Sequence, residues 1–323
     1  MHRIRLLVLA LPILLIACGG SSIDDLRNGI PSSDTVQLNV PKQPGQALEM
    51  GQAQQAAQGQ TAHFYQVTRE VTDLVNGATG LVLLLVKSVT DNPPTSFNGH
   101  VAVWGPYTAP LSSNTYRLTV TDLGHHQYTY VLEGKAKWDP DSAFVAILTG
   151  THNAATDSHG RPIRGFGNGS FIVNWDAAHS LPDPEDNVGT GEFTYSRLSP
   201  VSPVEIDVTF TQVLDRTTLQ RVNATYRYVS APGGDGMFQF STFNNPGATM
   251  IRLSIESRWK NNGAGRADVE YIIGNPTPAT AETANECWDE LFLSQYFHSS
   301  QDPSQDYGKE SNCAFSPAEY SPL

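Results

Sequence analysis

Basic residues are scarce in this sequence. Of its 323 residues, 20 are Lys or Arg and 32 are Asp or Glu, so the formal net charge at pH 7 is −12. No run of basic side chains offers a footprint for a polyanion, and nucleic acid is therefore not expected as a partner. Hydrophobic residues still make up 39% of the chain, which is enough to form a core.

Motifs typical of catalysis or of a bound cofactor are lacking as well. The chain contains no P-loop, no GxGxxG before a predicted helix, no GxSxG elbow and no CxxCH. We therefore expect no cofactor, and we favour a non-enzymatic role over an enzymatic one.

One weak candidate for a metal or catalytic site remains. His152, Asp157 and His159 fall in a polar segment, residues 151–161, that we interpret as a loop. Two imidazoles and a carboxylate are chemically able to hold zinc. The three residues follow no recognised metal-ligand spacing, and no glutamate is placed as a general base. A periplasmic or surface hydrolase that uses the loop around His152 is thus the alternative function.

The first eighteen residues have the features of an export signal. His2, Arg3 and Arg5 form a basic start, and residues 6–17 are apolar apart from Pro12, a run too short to span a bilayer stably. The run ends in Leu15-Ile16-Ala17-Cys18, which resembles the lipobox of bacterial lipoproteins. The resemblance covers only these eighteen residues, but it is specific.

The lipobox resemblance implies a location for the protein. Residues 1–17 would be a signal peptide that is cut off, and Cys18 would carry the acyl chains that hold the protein on the membrane. Lipoproteins kept in the inner membrane commonly have aspartate after this cysteine, whereas this chain has Gly19. The resemblance therefore predicts anchoring in the outer membrane, with the domain facing the periplasm or the cell surface.

Two segments of different character follow the signal. Residues 18–60 are rich in Gly, Ser, Pro, Gln and Ala with no apolar period, which predicts a flexible tether. Residues 61–94 predict a helical segment in two parts. An amphipathic helix runs from His63 to Asn76-Gly77, and an all-round apolar helix covers Thr79 to Thr90. A short buried strand at residues 81–86 is the alternative for the second part.

Beyond Pro94 the hydrophobic period changes from 3.6 to 2, and we predict an antiparallel β domain at residues 95–275. Val204, Ile206, Val208 and Phe210 alternate with polar residues, and about ten or eleven such runs lie between Gly99 and Gly274. We expect a mainly β fold, an antiparallel meander that forms a strongly curved sheet or barrel. The helical segment should pack on or in its concave face. Charged residues on the other strand face exclude a transmembrane barrel.

The C-terminal tail, residues 276–323, holds the other two cysteines. Once Cys18 is acylated, Cys287 and Cys313 are the thiols left in an oxidising compartment, so a disulfide between them is the economical pairing. Residues 287–293 predict a short helix.

Aromatic residues on the apolar strand faces are the candidate ligand-binding residues. We expect most of them to form core, with a hydrophobic cavity as the alternative. The candidates are Tyr128, Tyr130, Trp175, Tyr226 and Tyr228. The whole pattern is similar to that of uncharacterised outer-membrane lipoproteins. It favours a membrane-anchored structural or binding lipoprotein of the cell envelope, with a hydrophobic molecule as its candidate ligand.

Overall fold

The described residues form one antiparallel meander of fourteen strands, in which each strand pairs with the next along the chain. The computed structural model describes residues 22–42, 57–184, 186–214, 220–244, 251–273 and 281–323. The predicted signal peptide, Cys18 and Gly19 lie outside the described residues, as do residues 43–56 of the predicted tether.

The strands confirm the period-two pattern read from the sequence. Along the eighth strand Ile206, Val208 and Phe210 are buried, while Glu205 and Thr209 are exposed. Eleven strands, β2 to β12, lie between Gly99 and Gly274. The bounds are β1 Ser96–Phe97, β2 Val101–Tyr107, β3 Asn114–Gly124, β4 Gln127–Ala136, β5 Val145–Thr156, β6 Pro162–Asn174, β7 Thr190–Arg197, β8 Val204–Leu214, β9 Arg221–Ser230, β10 Gly236–Asn244, β11 Ile251–Trp259, β12 Gly265–Ile273, β13 Glu282–Trp288 and β14 Ser294–Ser299.

The sheet is strongly curved and open. Its strand order runs from β1 to β14, and no pairing among the described residues joins these two ends, so the sheet does not close into a barrel. A flat sheet of this size would be about 60 Å wide at the usual strand spacing. Inward residues as far apart in strand order as Trp104, Phe171, Tyr226 and Trp288 nevertheless share one core cluster. The concave face therefore encloses the core.

Four α-helices and three short 3-10 turns complete the part of the chain that the structure describes. The helices are α1 Ile23–Asn28, α2 Ser33–Val36, α3 His63–Thr90 and α4 Trp175–His179. The 3-10 turns are Asp141–Ala143, Pro303–Gln305 and Glu310–Asn312. Helix α3 contacts β2 and β11–β13 and so lies in the concave face, as expected.

The predicted break of the helical segment at Asn76-Gly77 is wrong, because α3 is continuous. The Asn76 side chain bonds the backbone of Leu38 at both its N–H and its carbonyl, 2.9 Å each, and does not end the helix. Leu83, in the apolar half, is buried and helical, so the strand alternative is also wrong. No helix among the described residues combines the length and the apolar character that a membrane span requires.

The N-terminus of α3 is held by a carboxylate from the sheet. Glu286 on β13 is fully buried, and its Oε2 accepts a hydrogen bond from the Phe64 N–H at 2.7 Å. Its Oε1 accepts from Ser294 Oγ, also at 2.7 Å. A carboxylate is favourable near the unpaired N–H groups at a helix start. This contact fixes one end of α3 against β13.

The predicted tether is wrong for residues 22–42, which we call the N-terminal strap. The strap crosses the concave face, and Leu26, Val36, Leu38 and Val40 in it are buried in the main core. The spacing of these apolar residues follows neither the helical nor the strand period, because the strap alternates between short helices and extended chain. The part of the chain that covers the concave face therefore begins with the strap and not with α3.

The predicted helix at residues 287–293 is also wrong. Strand β13 extends to Trp288, a turn follows, and β14 begins at Ser294. Asp289 stabilises the turn, because its Oδ1 accepts hydrogen bonds from the N–H groups of Leu291 and Leu293 at 2.9 Å each. The sheet thus continues into the region assigned to the tail.

The rest of the tail, residues 300–323, is called the C-terminal cover. The disulfide Cys287–Cys313 is present and joins this cover to the outward side of β13. Under the cover, Asp268 is fully buried and accepts hydrogen bonds from Arg266 Nε at 2.7 Å and from Arg258 Nη2 at 3.0 Å. Arg266 Nη1 also donates to Glu310 in the cover at 2.7 Å. The convex face at β11–β13 is therefore covered through an ionic network.

Candidate ligand-binding site

The five aromatic residues proposed from the sequence all lie on the concave side and are buried. Tyr128, Tyr130, Tyr226 and Tyr228 come from β4 and β9, and Trp175 begins α4 directly after β6. Trp175 stacks on Phe210 with ring centroids 6.1 Å apart. Tyr226 packs against Phe238 at 5.6 Å. These side chains contact other core residues, and none of them lines the pocket described below.

The N-terminal strap occupies the space next to two of these aromatics. A Cβ added to Gly29 would lie 2.4 Å from Cγ of Tyr128, so only glycine allows this close approach. Tyr228 Oη accepts from the Asn39 N–H at 3.0 Å and donates to the Asn39 carbonyl at 3.1 Å. The strap therefore takes the place next to these rings that the cavity alternative would have given to a ligand.

His152 does not lie in a loop. It belongs to β5, is buried, and its Nδ1 is 2.7 Å from Tyr195 Oη. Burial lowers the pKa of His152 to about 4. Its imidazole is therefore neutral at pH 7 and held against a tyrosine in the core.

Asp157 and His159 are in the turn between β5 and β6 and interact locally. The Asp157 carboxylate accepts from the backbone N–H of His159 at 2.8 Å and from that of Arg161 at 2.9 Å. Backbone hydrogen bonds, chiefly from Arg161, lower the pKa of Asp157. No group of three His, Cys, Asp or Glu side chains within the described ranges is arranged to hold a metal ion. The structure thus does not bring His152 together with the other two residues.

A pocket of about 1000 Å³ lies where the N-terminal strap meets the last turns of α3 and strands β6 and β7. Six strap residues between Asp24 and Ser32 line the pocket, and α3 supplies Leu83 and Lys87. Arg164, Gly165 and Phe166 come from β6, and β7 supplies Arg197. Four separate segments of the chain form this pocket.

Arg27 connects two walls of the pocket. Its Nε donates to the Thr90 carbonyl at 3.0 Å and its Nη2 donates to the Asn92 carbonyl at 3.1 Å. A cation at the C-terminus of a helix satisfies carbonyls that have no partner in the helix and complements its dipole. Its Nη1 bonds Asp24 within α1 at 3.1 Å. Helix α1 is itself begun by a capping box between Ser22 and Asp25.

The pocket wall that β6 and β7 form is also hydrogen-bonded to the strap. Gly165 has φ of +76°, and its carbonyl accepts a hydrogen bond from Thr35 Oγ1 at 3.1 Å. The guanidinium of Arg197 lies over the Phe166 ring, 5.1 Å from its centroid. This stacking places a cation beside an apolar ring in the same wall.

The pocket combines apolar and cationic surface. Its apolar residues are Ile30, Pro31, Leu83 and Phe166, and its charged residues are Arg27, Lys87, Arg164, Arg197, Asp24 and Asp91. The four basic side chains outnumber the two acidic ones, in contrast to the net charge of −12 of the chain. Lys87 pairs with Asp91 at 2.8 Å. Arg164 is exposed and has no carboxylate partner among the described residues.

Sequence reasoning missed this pocket, because its residues were assigned to a tether, a helical segment and the β domain. The capping box at Ser22 and Asp25 was the one local signal that the strap has structure. Nothing in the sequence indicates that Arg27 and Arg164 line the same pocket, since they are far apart along the chain.

Comparisons with known proteins add no assignment. No protein-family model matches the chain, no curated protein is similar enough to match it, and no solved structure matches its fold.

Proposed function

We propose that this chain is a non-enzymatic lipoprotein of the outer membrane that binds an anionic amphiphile. The pocket between the N-terminal strap, α3 and β6–β7 carries the proposal. Its apolar residues suit an acyl chain, and its basic side chains suit a negatively charged headgroup. Arg164 is the cation best able to meet that headgroup, because the other charges nearby already have partners.

The proposed anchor is an acylated Cys18. Several acyl chains on one residue hold a protein stably on a membrane, since each buried methylene contributes about 0.8 kcal/mol. Cys18→Ser should abolish the incorporation of an alkyne fatty acid and release the protein from the membrane fraction. Label that persists in the variant contradicts the anchor.

Ligand binding is tested on the secreted Cys18→Ser protein. Native mass spectrometry of the purified protein should show bound anionic lipid, and a fluorescent fatty acid should bind and be displaced by that lipid. Arg164→Glu should weaken fatty-acid binding about tenfold, a loss of about 1.4 kcal/mol. Lys137→Glu makes the same charge change on an exposed residue outside the pocket and should leave binding unchanged. A protein free of lipid that binds no fatty acid contradicts the proposal.

A further inference from the structure

The two ends of the sheet can be told apart by their connections. In an antiparallel meander, alternate connections lie at the same end. The turns after β1, β3, β5, β7, β9, β11 and β13 therefore share one end, which we call the tight-turn end. The connections after the even-numbered strands share the other end, which includes the loop of Leu111 and that of Trp138.

The N-terminal strap begins near the tight-turn end. Gly29 packs on Tyr128, which is next to the first residue of β4. Asp25 is close enough to contribute to the raised pKa of Tyr128, after burial and Asp122. Thr35 bonds the carbonyl of Gly165, close to the start of β6. Helix α1 and the pocket are thus both at this end.

The distance from Cys18 to the fold is short. Ser22 is already part of the capping box of α1, so only residues 19–21 separate it from Cys18. Even a fully extended chain covers about 14 Å over these four steps. A free tether of 43 residues would have allowed any orientation of the domain, whereas this connection holds α1 close to the acyl chains.

We infer that the tight-turn end rests on the membrane leaflet that holds the acyl chains of Cys18, so that the mouth of the pocket faces the lipid headgroups. The inference rests on the proposed lipidation of Cys18. The surface at this end fits such a contact, because apolar side chains protrude from two of its turns and next to a third. They are Leu123, Leu198, Val201 and Leu291.

The pocket residues support the same orientation. Asp24, Lys87 and Arg164 are exposed and mark the mouth of the pocket. Leu111 and Trp138 are exposed at the other end, so apolar exposure alone does not choose between the ends. The short connection to Cys18 makes the choice.

Site-directed labelling of the full-length lipidated protein tests the orientation. Val201→Cys and Leu111→Cys each place a thiol at an exposed residue, one at each end, and each is labelled with an environment-sensitive fluorophore. The native cysteines are blocked by acylation or by the disulfide. The proteins are then incorporated into phosphatidylethanolamine and phosphatidylglycerol vesicles that contain a lipid spin-labelled at its headgroup.

We expect the label at Val201→Cys to be quenched at least twofold more strongly than the label at Leu111→Cys. Equal quenching at the two positions, or stronger quenching at Leu111→Cys, overturns the inference while leaving the anchor and the pocket intact. Vesicle flotation is measured on the same samples. A protein that does not float with the vesicles contradicts both the anchor and the orientation, whereas fatty-acid binding by the secreted form tests the pocket alone.

Discussion

Two segments from opposite ends of the chain cover the two faces of the same sheet by different means. The N-terminal strap lies on the concave face and buries apolar side chains such as Leu26 and Leu38. The C-terminal cover lies on the convex face and is held by ion pairs to Arg258 and Arg266 and by a disulfide. Each cover matches the side chains that strand alternation sends to its face.

Substitutions in the N-terminal strap and under the C-terminal cover should therefore reduce stability in different ways. Burial of apolar surface is non-directional and is lost in proportion to the area removed. A buried ionic network depends on every partner, because removing one leaves the others as uncompensated buried charges. The following predictions test this difference.

The largest effect is expected from Asp268→Asn under the C-terminal cover. The carboxylate accepts from Arg258, Arg266, Asn285 and the Glu319 N–H. An amide removes the counter-charge that the two guanidinium groups share, and it leaves Arg266 paired only with the partly exposed Glu310. The free energy of unfolding should fall by about 4 kcal/mol, measured by urea denaturation. Asp207→Asn is the control, because Asp207 pairs with Arg227 in solvent at 3.8 Å and should change stability by about 0.5 kcal/mol or less.

Loss of the disulfide should be the next largest effect. Cys287→Ser combined with Cys313→Ser opens a link over 26 residues, and the chain-entropy model predicts a loss of about 3.5 kcal/mol. The C-terminal cover should become sensitive to protease before the sheet does. If the melting temperature is unchanged and the C-terminal cover still resists protease, the ionic network alone holds the cover on the sheet.

A smaller loss is expected in the N-terminal strap. Leu38→Ala removes a buried side chain from the core and should reduce the free energy of unfolding by about 3 kcal/mol or somewhat less. Leu111→Ala is the matched control, since Leu111 is fully exposed. If thermal melts of the two variants coincide, the strap is not part of the cooperative fold.

The smallest effect concerns pH and the buried His152 of β5. His152 has a folded-state pKa of about 4, lowered from 6.5 by burial, so the folded protein binds fewer protons than the unfolded chain between these values. Stability should therefore be lost as pH falls through this window, by about 2 kcal/mol between pH 7 and pH 4.5. Urea denaturation at both pH values should show a smaller loss for His152→Gln. His159→Gln replaces an exposed histidine and should lose as much stability as the parent does. If His152→Gln also loses as much stability as the parent, His152 is not the cause of the pH dependence.

The sheet could be predicted because its signal is local. Ile206 and Val208 alternate with Glu205 and Asp207 since each strand has one buried face, and that pattern needs no knowledge of the partner strand. The pairing of Cys287 with Cys313 followed from the small number of cysteines and the expected compartment.

The strap and the pocket could not be predicted in the same way. Leu38 is buried by strands and by α3, and its backbone is bonded by Asn76, so its environment depends on residues distant in sequence. The prediction for residues 287–293 failed for a different reason, because a local pattern was followed where strand pairing decides the structure. Their apolar spacing favours a helix locally, but pairing of Cys287 with Arg266 on β12 takes precedence.

Hydrogen exchange of the strap tests the central claim most directly, which is that residues 22–42 are a wall of the ligand pocket and part of the fold. The Leu38 N–H donates to Asn76 Oδ1 at 2.9 Å and the Asn39 N–H donates to Tyr228 Oη at 3.0 Å. Both amides should exchange as slowly as those of the central strands, and added fatty acid should slow exchange further in α1 and at residues 164–166. Exchange of Leu38 and Asn39 within seconds, unchanged by the fatty acid, would contradict the account.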